Sequence, residues 1–334
     1  MMPVQFTSHD VAKLAGVSQS TVSRALRGVP GIAPETVARV REAARTLAYV
    51  PSEAGRTLST RQARSIGVFT AELTNPFYPA LVEPVRARLA ELGYRTILLT
   101  EPDDAAGAVE SLPHGVVDGV IIATAHLGSQ LPASLRARNI PFVFVNRSVD
   151  GVDCDRSIVD NVAGGRLAAE FLADLGHRDI AAVFGPADTS TGRDREFGFR
   201  IALGDHAISL GESRIRRGPF SYEHGYRSTS LLLESADPPT AIFCGNDVIA
   251  LGALNAARAA GRDVGQDLTI VGFDDIAQAA WELVSLTTIR CDLARMGQSA
   301  ADLMVRRIAE PQAAYREIIL EPSIVARGSH HRPG

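Results

Sequence analysis

The sequence predicts an α/β protein. An N-terminal three-helix headpiece of helix-turn-helix type with a hinge helix precedes a core of two lobes, each a doubly wound parallel sheet. Three observations carry this. Residues 7–26 read as two short amphipathic helices joined by a glycine turn. From Ser65 onward, short apolar strands alternate with amphipathic helices in two successive series. Charge is divided along the chain: residues 1–64 hold nine Lys/Arg against four Asp/Glu, and the remainder 25 against 34. A basic head on an acidic body suits a small nucleic-acid-binding module joined to a separate globular domain.

With 334 residues the chain has room for two or three domains with sizeable cores. No apolar run reaches the roughly 18 residues that span a bilayer, and the N-terminus lacks a signal peptide's hydrophobic stretch. A cytoplasmic protein with no membrane partner is expected. Cys154, Cys244 and Cys291 lie far apart without metal-ligand spacing. They are expected as buried thiols in a reducing compartment, with no metal and no cofactor.

In the first helix, Val11, Leu14 and Ala15 recur at helical spacing, and Thr7 with Asp10 reads as a capping box. Gly16 breaks this helix. Ser18 caps a second, whose apolar face is Val22, Ala25 and Leu26. That leaves Gln19, Ser20, Thr21, Ser23 and Arg24 pointing outward. In a helix-turn-helix the second helix enters the major groove, where Gln pairs with adenine and Arg with guanine. Ser and Thr hydroxyls, those of Thr7 and Ser18 included, can bond phosphates. An ordinary helical hairpin with a polar face is the alternative reading of the geometry alone. Residues 34–47 form a third amphipathic helix with Val37, Val40, Ala44 and Leu47 on one face and Pro34 in its first turn. The segment after Tyr49 reads either as a polar linker or as a short helix from Ser52 through Leu58.

The wording of the stretch DVAKLAGVSQSTVSRAL is more specific than its geometry. It resembles, nearly residue for residue, the headpiece of the lactose-repressor family of bacterial transcription regulators. The likeness runs from Thr7 to about Gly328 through SIVDNVAGGRLAAEFLADLGHRDIA, TAIFCGNDVIALGAL and TIVGFDDIA. It implies a headpiece at 1–50, a hinge helix at 51–64, and a core at 65–334 resembling periplasmic sugar-binding proteins. Lobe 1 is expected at 65–160 and 291–320, lobe 2 at 161–290 and 321–330, with three crossings between them. It also implies that the hinge helix folds on the operator and presses Leu58 into the minor groove, kinking the DNA. This chain departs from the family's pattern in having Ser52 where Asn is usual, Gly55 where Ala is usual, and Ala33 where a Ser or Thr cap is usual.

Strands are expected at 66–70, 96–100, 119–123, 142–146, 180–185, 241–245 and 268–273, and helices at 80–92, 164–175, 247–260 and 293–309. Ligands of such folds sit at the carboxyl ends of strands, in the cleft between lobes. Candidates there are Asn75-Pro76-Phe77-Tyr78, Asn146-Arg147, Thr191, Arg193 and Arg195 after Gly185-Pro186, Phe220 in a loop, Asn246-Asp247 and Asp274-Asp275. Asp247 is read as the cap of the following helix, Asp275 as structural and Arg193 as a surface ion-pair member. Carried over by motif, the family's effector contacts fall on Phe77, Tyr78, Asn146, Thr191, Arg195, Asn246 and Asp274, and Phe220 joins the expected effector-binding set from its place in the loop segment GPFSYEHGY. Arg195 donates and Asp274 accepts, a pair suited to vicinal hydroxyls or a purine edge, with a sugar the expected class. The alternative is that the two pair with each other. Where relatives carry a Pro-containing segment before LTT, this chain has Trp281-Glu282-Leu283-Val284-Ser285.

The expected function is therefore sequence-specific regulation of transcription, in the form of repression, controlled by a small-molecule effector. Two-fold symmetry of a homodimer would be read as a near-palindromic double-stranded operator. A stand-alone small-molecule carrier is the second reading, and residues 1–60 speak against it. An enzyme lacks support. His177-Arg178-Asp179-Ile180 looks like a kinase catalytic loop, but Phe184 stands where its Asn belongs and no Asp-Phe-Gly follows. There is no nucleophile elbow, HExxH or P-loop. His330 and His331 are expected as surface residues of a short tail.

Overall fold

The computed structural model describes residues 6–26, 28–49, 62–70, 73–100, 113 and 115–333. Contacts divide the chain into two compact units, 1–63 and 64–334. The hinge residues Ser52, Gly55 and Leu58 lie outside the described residues.

In the first unit, helices α1 (Ser8–Ala15), α2 (Gln19–Leu26) and α3 (Pro34–Thr46) close around Val11, Ala12, Ala15, Val22, Ala25, Val40, Ala43 and Ala44. The Asp10 carboxylate accepts from both the Thr7 backbone N–H and the Thr7 hydroxyl at 2.8 Å, starting α1. Gly16 ends it with φ +67°, a left-handed position that glycine enters without a Cβ penalty. The Ser18 hydroxyl accepts the Thr21 backbone N–H at 3.2 Å and starts α2. One expectation fails: Leu14 is 54% exposed, and Ala12 takes its place in the core. The three helices meet closely enough that small side chains fill the seam. Ala33 offers no side-chain cap to α3, which begins on Pro34 instead.

The second unit contains two six-stranded sheets. The first has the order β11-β5-β4-β3-β1-β2, with β1 Ser65–Thr70, β2 Arg95–Thr100, β3 Gly119–Ile122, β4 Phe142–Val145, β5 Asp155–Val159 and β11 Glu317–Leu320, all parallel. The second has the order β12-β10-β9-β8-β6-β7, with β6 Ile180–Phe184, β7 Ile215–Arg217, β8 Ala241–Cys244, β9 Thr269–Asp274, β10 Thr287–Arg290 and β12 Ser323–Val325. Only β12 runs antiparallel, along β10. The chain passes between the lobes after β5, after β10 and after β11. Helix α4 (Phe77–Glu91), α5 (Leu131–Ala137) and α10 (Leu293–Ala309) belong to lobe 1; α6 (Asn161–Leu175), α7 (Ser190–Asp205), α8 (Tyr222–Leu233) and α9 (Asp247–Ala259) belong to lobe 2.

The strands expected from apolar runs are present, with ends shifted by a residue. The expectations omitted β5, β7, β10, β11 and β12. These are short or polar, such as Asp155-Arg156-Ser157-Ile158-Val159, whose side chains alternate between buried and half-buried. Sheet neighbours rather than hydrophobic patterning define them. Helix α7 was hidden for a related reason. Its buried face is Ser190, Thr191, Gly192, Arg195 and Gly198 before any large apolar residue. Ser221 caps α8 by accepting from the His224 N–H at 3.2 Å, so the expected loop around Phe220 ends there.

His330 and His331 are not free surface residues. His330 Nδ1 bonds the Thr287 hydroxyl at 2.9 Å, and His331 Nδ1 the Thr269 hydroxyl at 3.1 Å. The His331 ring stands edge-on to His177, whose own nitrogens meet the Thr240 and Thr269 hydroxyls at 2.9 and 3.0 Å. Burial lowers the pKa of His177 to about 4, so it is a neutral packing residue that pins the C-terminal segment to lobe 2.

Candidate functional site

On the headpiece, Thr7, Ser18, Gln19, Ser20 and Arg24 are exposed, and Thr21 and Ser23 are half-buried. Gln19 donates to the Ser8 hydroxyl at 2.9 Å, and Arg24 reaches the Pro30 carbonyl at 3.4 Å, a long bond that leaves the guanidinium available. The hydroxyls of Ser20 and Thr21 each bond that of Ser18 at 2.8 Å. The Thr7 hydroxyl proton is committed to Asp10. The outer face of α2 is thus polar and hydrogen-bonding, backed by the buried Val22 and Ala25.

In the core, a cleft of about 250 Å³ is lined by Asn75, Phe77, Tyr78, Asn146 and Arg147 from lobe 1 and by Thr191, Arg195, Phe220, Asn246 and Asp274 from lobe 2. All eight expected effector residues therefore meet in one cleft, with Asn75 and Arg147 beside them. Lobe 1 supplies an aromatic corner: Phe77 and Tyr78 lie edge to face at 5.3 Å, and the Asn75 side chain accepts the Phe77 N–H at 3.0 Å, turning the chain into α4.

Lobe 2 supplies the charge. Arg195 is 3% exposed and extends from the second turn of α7 rather than from a strand end. Its Nε donates to Asn161 Oδ1 at 2.8 Å, one terminal nitrogen to the Gly245 carbonyl at 2.7 Å, and the other to Asp274 Oδ1 at 3.0 Å. Its guanidinium lies 3.6 Å from the centre of the Phe273 ring, within cation–π range. So Arg195 and Asp274 do pair with each other, within one lobe. Asn161, which fixes this arrangement from the first turn of α6, carried no signal in the sequence. The close approach of α6 and α7 allows it: a Cβ at Gly165 would lie 2.2 Å from the Arg195 carbonyl.

Asn246, not Asp247, caps α9, accepting the Ile249 N–H at 2.9 Å. That corrects the expected role of Asp247, which is fully buried and accepts from the Thr288 hydroxyl at 2.6 Å and the Ile276 N–H at 2.9 Å. Asp275 is structural, paired with Arg290 and Arg327 at 2.6 Å each, and Arg193 pairs with Asp150 and Asp194. Phe220 covers the cleft because Gly185 has no side chain; a Cβ there would stand 2.1 Å from its ring. Cys154, Cys244 and Cys291 are buried free thiols. Among the described residues no group of His, Cys, Asp or Glu could hold a metal ion, and no helix is long and apolar enough to cross a membrane.

Burial raises the Asp274 carboxyl to a pKa of about 6 against the pull of Arg195 and Arg147. A carboxyl raised above its ordinary value of 3.8 binds a proton more readily folded than unfolded. Its ionised form therefore costs stability above pH 6, a cost that fades as pH falls from 6 toward 4. Protonation also removes an acceptor from the cleft and the counter-charge of Arg195. We expect ligand affinity to fall as pH drops through about 6 while Asp274's contribution to stability rises. Calorimetric titration and thermal melts from pH 5 to 8 read the two trends, and Asp274→Asn removes both. Parallel trends would detach Asp274 from the ligand.

A basic, helix-turn-helix headpiece carried on a two-lobed core with a polar, aromatic-lined cleft defines a DNA-binding regulator with a ligand-binding domain. The model of bacterial regulatory proteins of the lacI family matches residues 7–52, and that of the periplasmic binding protein-like domain matches residues 169–330. The chain is 34% identical over 328 residues to the HTH-type transcriptional repressor PurR of Pectobacterium carotovorum, covering 97% of this chain and 96% of the relative. It is 35% identical to that of Photorhabdus laumondii with the same coverage. Among solved structures it resembles the lac repressor dimer bound to operator and the anti-inducer ONPF, with TM-score 0.88, 29% identity and 98% and 99% of the two chains covered. It also resembles a complex of the transcriptional regulator CelR with cellobiose, with TM-score 0.76, 31% identity and 97% and 100% covered. The chain belongs to the lacI family of bacterial regulatory proteins.

Proposed function

We propose that the protein is a transcriptional repressor that binds a near-palindromic operator as a homodimer and is controlled by a sugar held between the lobes of its core. The observation that carries this reading is the cleft itself. Two lobes joined by three crossings each contribute five lining residues, so a ligand bridging them sets the angle between lobes. That angle fixes the spacing of paired hinges, and the effect on DNA binding is bounded by the ligand's differential affinity for the two arrangements, about 1–3 kcal/mol per coupled site. The polar outer face of α2 reads base edges, with Gln19, Ser20 and Arg24 nearest the groove. Leu58 acts as the minor-groove wedge. Trp281 and Leu283, 59% and 89% exposed, supply apolar surface of the kind a second subunit covers. The relatives that match over nearly the whole chain are repressors, which supports a regulator acting in the cytoplasm without catalysis. A carrier has no use for a headpiece.

The test is binding to a selected operator at fixed salt. Arg24→Ala loses one base contact, about 1–3 kcal/mol, and relaxes preference at a single position. Leu58→Ala lowers specific affinity and DNA bending and spares ligand binding. An Arg24→Ala variant with unchanged affinity and preference would reject this register for α2.

A further inference from the structure

Phe220 reaches the cleft from residues 218–221, which lie between β7 and α8 and belong to neither. So short a loop must be held still if its ring is to line a binding site. The side chain that holds it is His224, in the first turn of α8, which does not itself line the cleft. Its Nε2 lies 3.2 Å from the Phe184 carbonyl, and its Nδ1 3.2 Å from the buried Ser228 hydroxyl. The Gly218 N–H donates to the same Phe184 carbonyl at 3.3 Å. One carbonyl at the end of β6 thus anchors both ends of the loop, and Phe220 stands between the two anchors. The packing is as close as the bonding: a Cβ at Gly218 would stand 2.6 Å from the His224 ring, as one at Gly185 would meet that of Phe220. The Phe220 ring centre also lies 5.4 Å from the Arg147 guanidinium carbon, so the loop touches lobe 1 as well as lobe 2. A carbonyl only accepts, so the bond to Phe184 places a proton on Nε2. Burial, with Arg227 nearby, lowers the His224 pKa below its ordinary 6.5 and leaves the ring neutral at pH 7. Nδ1 is then an acceptor, and the Ser228 hydroxyl donates to it. Both ring nitrogens are satisfied, which fixes the tautomer and the ring's orientation.

We propose that His224 is a positioning residue for the ligand cleft: it pins residues 218–221 to the end of β6 and so holds Phe220 in place before a ligand arrives. This rests on the reading of the cleft as the effector site. Phe220 supplies an apolar wall opposite the polar groups of Arg195 and Asp274, and His224 touches no ligand itself. A ring already held in its binding position spares the ligand the cost of ordering it. Affinity therefore depends on a side chain that acts only through Phe220.

The first readout needs no ligand. In hydrogen exchange of the full chain, read by mass spectrometry of its peptides, residues 216–222 should exchange about twofold to tenfold faster in His224→Ala, the protection of one lost hydrogen bond. Peptides from α9 and β9 should keep the parent's rates. His224→Gln, whose amide can donate to the Phe184 carbonyl, should recover most of the protection. The second readout reports on position 220 itself. Trp281 is the chain's one tryptophan, so with Trp281→Phe and Phe220→Trp acrylamide quenching reads how firmly the cleft ring is held. Adding His224→Ala should raise that quenching, and His224→Gln in its place should leave it near the parent's level. The third is thermal unfolding with ribose, glucose and cellobiose as probes. A probe that raises the parent's midpoint should bind His224→Ala about twofold to tenfold more weakly, and His224→Ala should cost nothing further in a chain that already carries Phe220→Ala. Exchange that rises everywhere alike, quenching unchanged by His224→Ala, or additive losses in the double variant would each overturn the positioning role. If no probe shifts the parent while the two ligand-free readouts come out as expected, the sugar reading fails and the hold of His224 on Phe220 stands.

Discussion

Arg195→Ala should abolish the response to ligand and destabilise the core by about 3–5 kcal/mol, the cost of leaving a buried charge without its partner. Both sides of the Arg195–Asp274 pair are nearly inaccessible, with side chains 3% and 4% exposed at 3.0 Å. Truncation would strand Asp274, the Asn161 side chain and the Gly245 carbonyl together and uncover the Phe273 face. Operator binding should persist below the lowered melting temperature, because the headpiece keeps its own core. Denaturant unfolding and a DNA-binding assay with and without ligand check the two halves. A variant that still binds ligand normally and still switches would remove Arg195 from the site.

The other large effect is expected far from the cleft's chemistry. Asp155 opens β5, is fully buried, and accepts from Arg307 at 2.6 Å, Arg306 at 3.4 Å and the Arg316 backbone N–H at 2.9 Å. It thereby ties the end of α10 and the start of β11 to the strand on which they close. Asp155→Ala leaves Arg307, only 5% exposed, facing its missing partner. A loss of about 3–5 kcal/mol follows. Ligand affinity, measured well below the new midpoint, should be unchanged, since no member of this cluster lines the cleft. A variant as stable as the parent would show that the Pro311, Ala313 and Ala314 carbonyls alone satisfy the two arginines.

The contrast between these two clusters shows what the sequence makes legible. Alternating apolar strands and helices identify the central strands, because β3 and β4 are buried on both faces and read as unbroken apolar runs such as Phe142-Val143-Phe144-Val145. Edge and closing strands such as Ser323-Ile324-Val325 have no such run; only their neighbours make them strands. In the cleft, residues just past strand ends were visible as positions, which is why Asn146, Asn246 and Asp274 could be named. Their partners were not. Nothing in a linear chain says that Asn161 meets Arg195, or that Asn246 caps a helix with its side-chain oxygen. Such facts depend on which side chains are already satisfied, and satisfaction is a property of the folded arrangement. Leu14 makes the same point for the headpiece: its spacing is that of a core residue, but the helices meet on the alanine side.

The sheet topology bears on how the chain is made. Each lobe is closed along one edge by a strand from residues 317–325: β11 beside β5 and β12 beside β10. At ordinary ribosomal speeds of about 5–20 residues per second, β5 emerges on the order of ten to thirty seconds before β11 exists to cover it. For that interval a nascent lobe 1 presents an open row of backbone donors and acceptors, the template on which chains on neighbouring ribosomes pair with one another. Slow translation near the C-terminus should therefore cost soluble yield more than slow translation of the headpiece, and crowded polysomes should need chaperone cover for the first lobe more than for the second.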